Sequence, residues 1–114
     1  MPYTIIIKKK FSSAHYLREY KGKCEELHGH NYLIIVHITG KKLSKSGMVY
    51  DFKEIKEYLK KILPDHKCLN NVYKFNPTTE NLAKHFFYVI SKKYPVTKIE
   101  IWEDENQGSS YSEK

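Results

Sequence analysis

Cysteine is nearly absent from this chain: Cys24 and Cys68 are the only two in 114 residues, and their surroundings are dissimilar. A secreted domain stapled by disulfides is thereby excluded, and reduced thiols are expected. Also missing is any apolar run approaching the roughly 20 residues of a membrane-spanning helix. Ile5-Ile6-Ile7 precedes Lys8-Lys9-Lys10, which reverses the order of a signal peptide and is too short for its apolar region. A cytoplasmic protein with no membrane partner is expected. Acidic residues are the scarcer charge, 13 against 20 lysines and arginines, leaving a formal net charge of +7. That excess suits a polyanionic partner or a solvated lysine surface; because the lysines are scattered along the chain, the second reading is preferred. Ten tyrosines argue against disorder. No repeat and no linker divides the sequence, so residues 1–114 are expected to form a single domain.

What is present is concentrated in Cys24-Glu25-Glu26-Leu27-His28-Gly29-His30. Two histidines two residues apart on an extended segment project from one face, because side chains alternate along a strand. Tyr32, Ile34, Val36 and Ile38 continue that face as an apolar stripe, so the imidazoles are expected to point inward. Residues 3 to 13 alternate with Tyr3, Ile5, Ile7 and Phe11 on one face, and the same parity reaches Ser13 and His15. Pairing this strand antiparallel with a second from about His28 to Gly40 would bring His15 beside His28 and His30. Tyr16 to Cys24 would be a basic loop between them.

The remaining elements follow from capping and periodicity. Asp51 with Glu54 forms a capping box for a helix whose buried side is Phe52, Ile55, Leu59 and Ile62, stopped by Pro64. Asp65 to Asn71 reads as a loop. A second helix opens at Asn76-Pro77-Thr78-Thr79-Glu80 with a threonine cap and an early carboxylate, carries Leu82, Phe86, Val89 and Ile90 inside, and ends at Tyr94-Pro95. From Val96 to Glu103 the period returns to two, with Ile99, Ile101 and Glu103 on one face, and Ser109 to Ser112 suits a short last strand. The expected class is α+β, ordered ββααββ, an antiparallel sheet with both helices on one face. Sheet edges or the uncovered face are the natural places for oligomerisation.

Three imidazoles with no fourth protein ligand describe a catalytic zinc site with an open position. A closed structural site using Cys24 as fourth ligand is the alternative; it would leave Asp65, His66 and Glu103 without a purpose. His37 and His85, each isolated in its element, are assigned structural roles. Cys24 lies between charged residues and close to the expected cation, which favours a thiolate acting as base or nucleophile over a buried apolar role. Asp65-His66 gains meaning only by meeting Cys24, where a carboxylate-oriented imidazole can relay protons. Glu103 closing an apolar face is costly to bury unless it binds something. A nucleic-acid-binding module would interleave basic and aromatic residues on one surface. The motif residues here are acidic, thiol and imidazole, so no nucleic-acid partner is expected.

These residues, with Phe11-Ser12-Ser13-Ala14-His15, Gly47-Met48-Val49-Tyr50-Asp51-Phe52, Leu69-Asn70, Asn81 and Trp102, resemble the 6-pyruvoyltetrahydropterin synthase and 6-carboxytetrahydropterin synthase family over nearly the whole chain. The resemblance implies a tunnelling fold (T-fold), with trimeric barrels stacked as a homohexamer and active sites between subunits. It implies zinc (Zn2+) on His15, His28 and His30. Cys24, Asp65 and His66 would be catalytic, Glu103 would anchor the pterin's amino-pyrimidine edge, and Thr78, Thr79 and Glu80 would line the pterin pocket. The substrate implied is 7,8-dihydroneopterin triphosphate. One branch of the family eliminates triphosphate to give the 6-pyruvoyl product; the other also releases acetaldehyde, giving 6-carboxytetrahydropterin for the deazapurine, queuosine-type pathway. The compact chain and the short segment from His15 to Cys24 look more like the latter. A third branch uses a glutamate in this motif to cleave dihydroneopterin, a role that Glu26 is placed to fill. A zinc-containing pterin binder without turnover is the reading outside enzymology.

Overall fold

Long β-branched runs with period two give two strands of equal length, β1 (Tyr3–His15) and β2 (His28–Gly40), which pair antiparallel without interruption from Tyr3 opposite Gly40 to His15 opposite His28. The computed structural model describes residues 2–22 and 25–113, so Cys24 lies outside the described residues. Helix α1 (Phe52–Ile62), strand β3 (Lys67–Cys68), the single turn α2 (Leu69–Val72), helix α3 (Thr79–Ser91) and strands β4 (Val96–Trp102) and β5 (Gly108–Ser112) complete the order. The sheet runs β3-β1-β2-β4-β5.

One face of that sheet is the core. Ile7, Phe11, Tyr32, Ile34, Val36, Ile38, Ile99 and Ile101 alternate inward, and α1 with Ile55 and Leu59 and α3 with Leu82, Ala83, Phe86, Phe87 and Ile90 cover them. Both long helices therefore pack on one face, as alternation alone suggests. The N-cap of α3 is Thr78, whose hydroxyl accepts from Asn81 N at 3.1 Å. On the opposite face His37 Nε2 lies 2.7 Å from Glu100 Oε2, and Trp102 Nε1 donates to Glu100 Oε1 at 3.1 Å. His85 packs among Tyr73, Phe75 and Phe86. Neither histidine belongs to the cluster formed by His15, His28 and His30. Among the described residues no helix is long and apolar enough to cross a membrane.

Four expectations need correction. The sheet is mixed, because β3 pairs parallel with the end of β1, Ser13 opposite Lys67 and Ala14 opposite Cys68. The segment from Asp65 to Asn71 is accordingly not a simple loop. Asp65 Oδ1 accepts from Ser12 N at 2.8 Å, His66 N donates to Ser12 O at 2.6 Å, and fully buried Leu69 anchors the turn that follows. Short elements held by such tertiary contacts carry little periodic signal. Phe52 is 52% exposed, not buried: it shares the helical face of Ile55 and Leu59, but as the first residue of α1 it borders an open hollow with Tyr3, Ile5 and Tyr50. Asp51 caps that helix by accepting from Lys53 N at 3.0 Å, with no reciprocal bond from Glu54 among the described residues.

Leu59→Ala should lower unfolding free energy by about 2–5 kcal/mol, because the site is fully buried and cannot refill; chemical denaturation measures it. A second expectation concerns acid. Burial by itself raises the Glu100 pKa, but hydrogen bonds from His37 and Trp102, with Lys98 nearby, outweigh it and hold the carboxyl below its ordinary value. A depressed folded-state value means stability present above the ordinary carboxylate range and lost as pH falls through the lowered one. In denaturant titrations carried from neutral pH into acid, the advantage of the wild type over Glu100→Gln should therefore shrink.

Candidate metal centre

The β1–β2 register places the imidazoles. His15 stands directly opposite His28, and His30 opposite Ser13 two pairs further on, so all three side chains share the core-side face. One ligand nitrogen from each lies within 4.8 Å of the others. His15 is buried, His30 half-buried and His28 exposed, so the cluster sits where the apolar stripe opens to solvent and not inside the core.

Backbone carbonyls set the tautomers. Pro77 O lies 2.9 Å from His15 Nδ1, and Glu26 O lies 3.0 Å from His28 Nδ1. A carbonyl only accepts, so both Nδ1 atoms carry a proton, and as neutral rings the two would present Nε2 lone pairs. Those two Nε2 atoms are 3.1 Å apart. Two facing lone pairs repel unless a cation stands between them, so the donor set fits a divalent metal with imidazole preference, zinc foremost. Burial lowers the His15 pKa; the Pro77 bond opposes that shift, while His28 and His30 reinforce it, and the ring is kept as a neutral ligand. Tyr32 Oη lies 3.1 Å from His15 Nδ1, and burial, with Glu103 and Glu25, raises its pKa so that it remains a phenol. The Nδ1–H to carbonyl bonds are the outer support that fixes ring orientation at metal sites.

The histidines line a cavity of about 380 Å³ that also takes in Leu17, Glu25, Thr78, Thr79, Glu80, Glu103 and Gln107. Glu103 stands just past β4, where its amide donates to Gln107 O at 3.1 Å and its Oε1 accepts from Gln107 Nε2 at 2.7 Å. The other carboxylate oxygen is 3.6 Å from His30 Nε2. Thr79 Oγ1 bonds Ser109 Oγ at 2.6 Å and donates to Glu80 Oε1 at 3.1 Å, tying the start of α3 to β5. Three carboxylates thus surround three imidazoles in a chain that is basic overall.

Of the residues singled out from sequence, His15, His28, His30, Thr78, Thr79, Glu80 and Glu103 meet in this one cavity. Asp65 and His66 do not. Their side chains are 55% and 80% exposed and 3.8 Å apart, and His66 borders a separate hollow beside Ser12, Asn31 and Lys67 that shares only His30 with the metal cluster. The Glu26 side chain is exposed, and it is Glu25 that lines the cavity. Sequence reasoning passed over Pro77 O, Tyr32 and Gln107. Only Pro77 left a signal, as the residue fixed just ahead of a helix cap.

A mixed α+β sheet whose first hairpin gathers three imidazoles over a carboxylate-lined cavity defines a metal-ligating fold with a small-molecule pocket. A family model described as 6-pyruvoyl tetrahydropterin synthase matches residues 4–114. The chain is 30% identical over 125 residues to the 6-carboxy-5,6,7,8-tetrahydropterin synthase of Rickettsia conorii, covering 85% of this chain and 91% of that one. It is 37% identical over 92 residues to the protein of the same name from Synechocystis, covering 72% and 71%. The solved 6-pyruvoyl tetrahydropterin synthase of Caenorhabditis elegans superposes with a TM-score of 0.82 at 26% identity, over 98% of this chain and 96% of that one. The chain belongs to the 6-pyruvoyl tetrahydropterin synthase family. Its architecture is the tunnelling fold, and membership makes it a lyase-type enzyme with a small pterin as substrate.

Replacing His15, His28 or His30 by Ala should weaken zinc binding by more than the roughly 10–100-fold that loss of an outer-sphere partner costs. His37→Ala should bind as the wild type does; competition with a chromophoric chelator measures each.

Proposed function

We propose that this chain is a zinc-dependent lyase that converts 7,8-dihydroneopterin triphosphate to 6-carboxy-5,6,7,8-tetrahydropterin, with loss of triphosphate and acetaldehyde. The observation that carries the reading is the convergence of His15, His28 and His30 on the cavity that also holds Thr78, Thr79, Glu80 and Glu103. Relatives that bear the 6-carboxy name, covering most of both chains, support the choice of product.

In this reading Glu103 accepts hydrogen bonds from the amino-pyrimidine N–H groups of the pterin, and Gln107 aims its carboxylate. A buried ligand of that kind accounts for a carboxylate at the end of an apolar strand face. Thr78, Thr79 and Glu80, fixed by the capped start of α3, form the wall along the ring. Zinc, held by His15, His28 and His30, would supply Lewis acidity toward the side-chain hydroxyl oxygens, making the neighbouring carbon-bound hydrogens acidic. Cys24 takes and returns those protons as the reaction's base, and His66, oriented by Asp65, is its relay. Because Asp65 and His66 lie exposed at the β3 edge, away from the cluster of their own chain, the reading places them in the site of a neighbouring copy. That arrangement calls for a homo-oligomer, a hexamer in the family pattern, with sites between subunits. No part is assigned to nucleic acid or to a membrane.

The 6-pyruvoyl synthase reading, in which only triphosphate is eliminated, is favoured by one observation, the likeness to the Caenorhabditis elegans enzyme. A mass-spectrometric product assay of zinc-loaded protein decides between them. Dihydroneopterin triphosphate should yield acetaldehyde and 6-carboxytetrahydropterin, with the rate falling roughly 10²–10⁴-fold in Cys24→Ala. A 6-pyruvoyl product would move the chain to the other branch. Turnover of dihydroneopterin alone would put the motif glutamates in charge, and no turnover of either would leave a pterin binder.

A further inference from the structure

The loop that leads from the first metal ligand to the thiol is held by a short stretch of backbone whose bonding partners are side chains, not another strand. All six backbone polar groups of residues 16–18 are paired. Tyr16 N donates to Asn70 Oδ1 and Tyr16 O accepts from Asn70 Nδ2, both at 2.9 Å. Arg18 N donates to Asn76 Oδ1 at 2.7 Å, and Arg18 O accepts from Asn76 Nδ2 at 3.1 Å. An asparagine amide has the same donor and acceptor as a peptide group, so two of them stand in for a neighbouring strand along one edge. Leu17 turns its groups to the other edge, where Leu17 O accepts from Glu25 N at 2.9 Å and Leu17 N donates to Glu25 Oε1 at 3.1 Å.

The two asparagines stand on rigid ground. Asn70 belongs to the α2 turn anchored by Leu69, and Asn76 O accepts from Asn81 Nδ2 and Thr78 N at the start of α3. Arg18 locks the stretch between them by donating to Phe75 O at 2.9 Å and Lys74 O at 3.3 Å. Three consecutive residues then carry three parts of the site: Asn76 holds the loop stretch, Pro77 O orients His15, and Thr78 caps the helix that lines the cavity. Beyond Arg18 the backbone is left-handed at Glu19 and Lys21, a conformation that non-glycine residues keep only when their surroundings impose it.

We infer that Asn70 and Asn76 are positioning residues for the reaction. Their amides fix residues 16–18, and through the Leu17–Glu25 bridge they hold Glu25, which lines the cavity and is the chain neighbour of Cys24. The reading of Cys24 as base comes from the proposed function; the bracket itself is independent of the substrate.

Asp is the substitution of choice, since it keeps the shape and the acceptor of Asn but loses the N–H donor and sets a carboxylate against the Tyr16 or Arg18 carbonyl. In Asn70→Asp and Asn76→Asp, zinc stoichiometry should stay at the wild-type level. With dihydroneopterin triphosphate, kcat should fall on the order of 10²-fold with KM little changed, as expected when a reacting group is displaced without loss of binding contacts. A second readout needs no substrate: the rate of Cys24 alkylation, followed by peptide mass spectrometry to separate it from Cys68, with and without zinc. The wild type should show a clear effect of zinc on that rate, and the variants should bring the ratio toward one. Variants that keep both the wild-type ratio and the wild-type kcat would overturn the inference, as would a wild-type ratio of one or a loss of zinc in step with kcat. A wild type that fails to turn over any pterin would count against the proposed function alone, and the alkylation ratios would still decide the role of the bracket.

Discussion

Thirteen consecutive residue pairs between β1 and β2 decide where three imidazoles fall, and nearly everything at the site depends on that register. A slip of one residue would turn every side chain of one strand to the opposite face, carrying either His15 or both His28 and His30 away from the others. The register is held by the same residues that make the core. Phe11 stacks on Tyr32 with ring centroids 5.1 Å apart, and Ile7, Ile34, Val36 and Ile38 continue the buried row. Apolar burial along the hairpin therefore positions the three imidazoles, and no separate scaffold is required for them.

The second support is the ten-residue stretch from Asn70 to Thr79. It orients His15 through Pro77 O, presents the threonines from the start of α3, and brackets residues 16–18 with two side-chain amides. His15, the pocket wall and the stretch 16–18 thus share one piece of backbone. A change in any of them is expected to be felt by the others. The carboxylates Glu25, Glu80 and Glu103 gather at this end of a chain that is basic overall, which suits a bound cation and a ligand rich in N–H groups.

Much of this arrangement is legible in the sequence because it rests on strong periodicity. The parity running from Ile7 through Phe11 to His15, and from His28 through Tyr32 to Ile38, specifies both the shared face and the meeting of the histidines. The caps at Asp51 and Thr78 mark two helix starts with side-chain chemistry that only a helix end uses. What escapes is held by non-local contacts. β3 and α2 are too short to show a period, and they exist because Asp65 and His66 bond to Ser12 and because Leu69 is buried. Phe52 satisfies the helical spacing, yet it stands at the first position of α1 beside an open hollow and is left half exposed. Pro77 O, Tyr32 and Gln107 are site groups through position alone. Asp65 and His66 are visible in the sequence as a chemical pair, but the fold of one chain leaves them exposed at an edge, away from the imidazole cluster.

In the proposed function His15, His28 and His30 ligate one metal ion and leave a position open for substrate. X-ray absorption at the zinc edge of the loaded protein tests it directly. Three histidine ligands and an open position should give nearest-neighbour scattering from imidazole nitrogens at about 2.0–2.1 Å, with a light atom in the remaining position and no sulfur. A sulfur shell at about 2.3 Å would mean that Cys24 closes the site as a fourth ligand, and a site without imidazole scattering would show that the three histidines hold no metal.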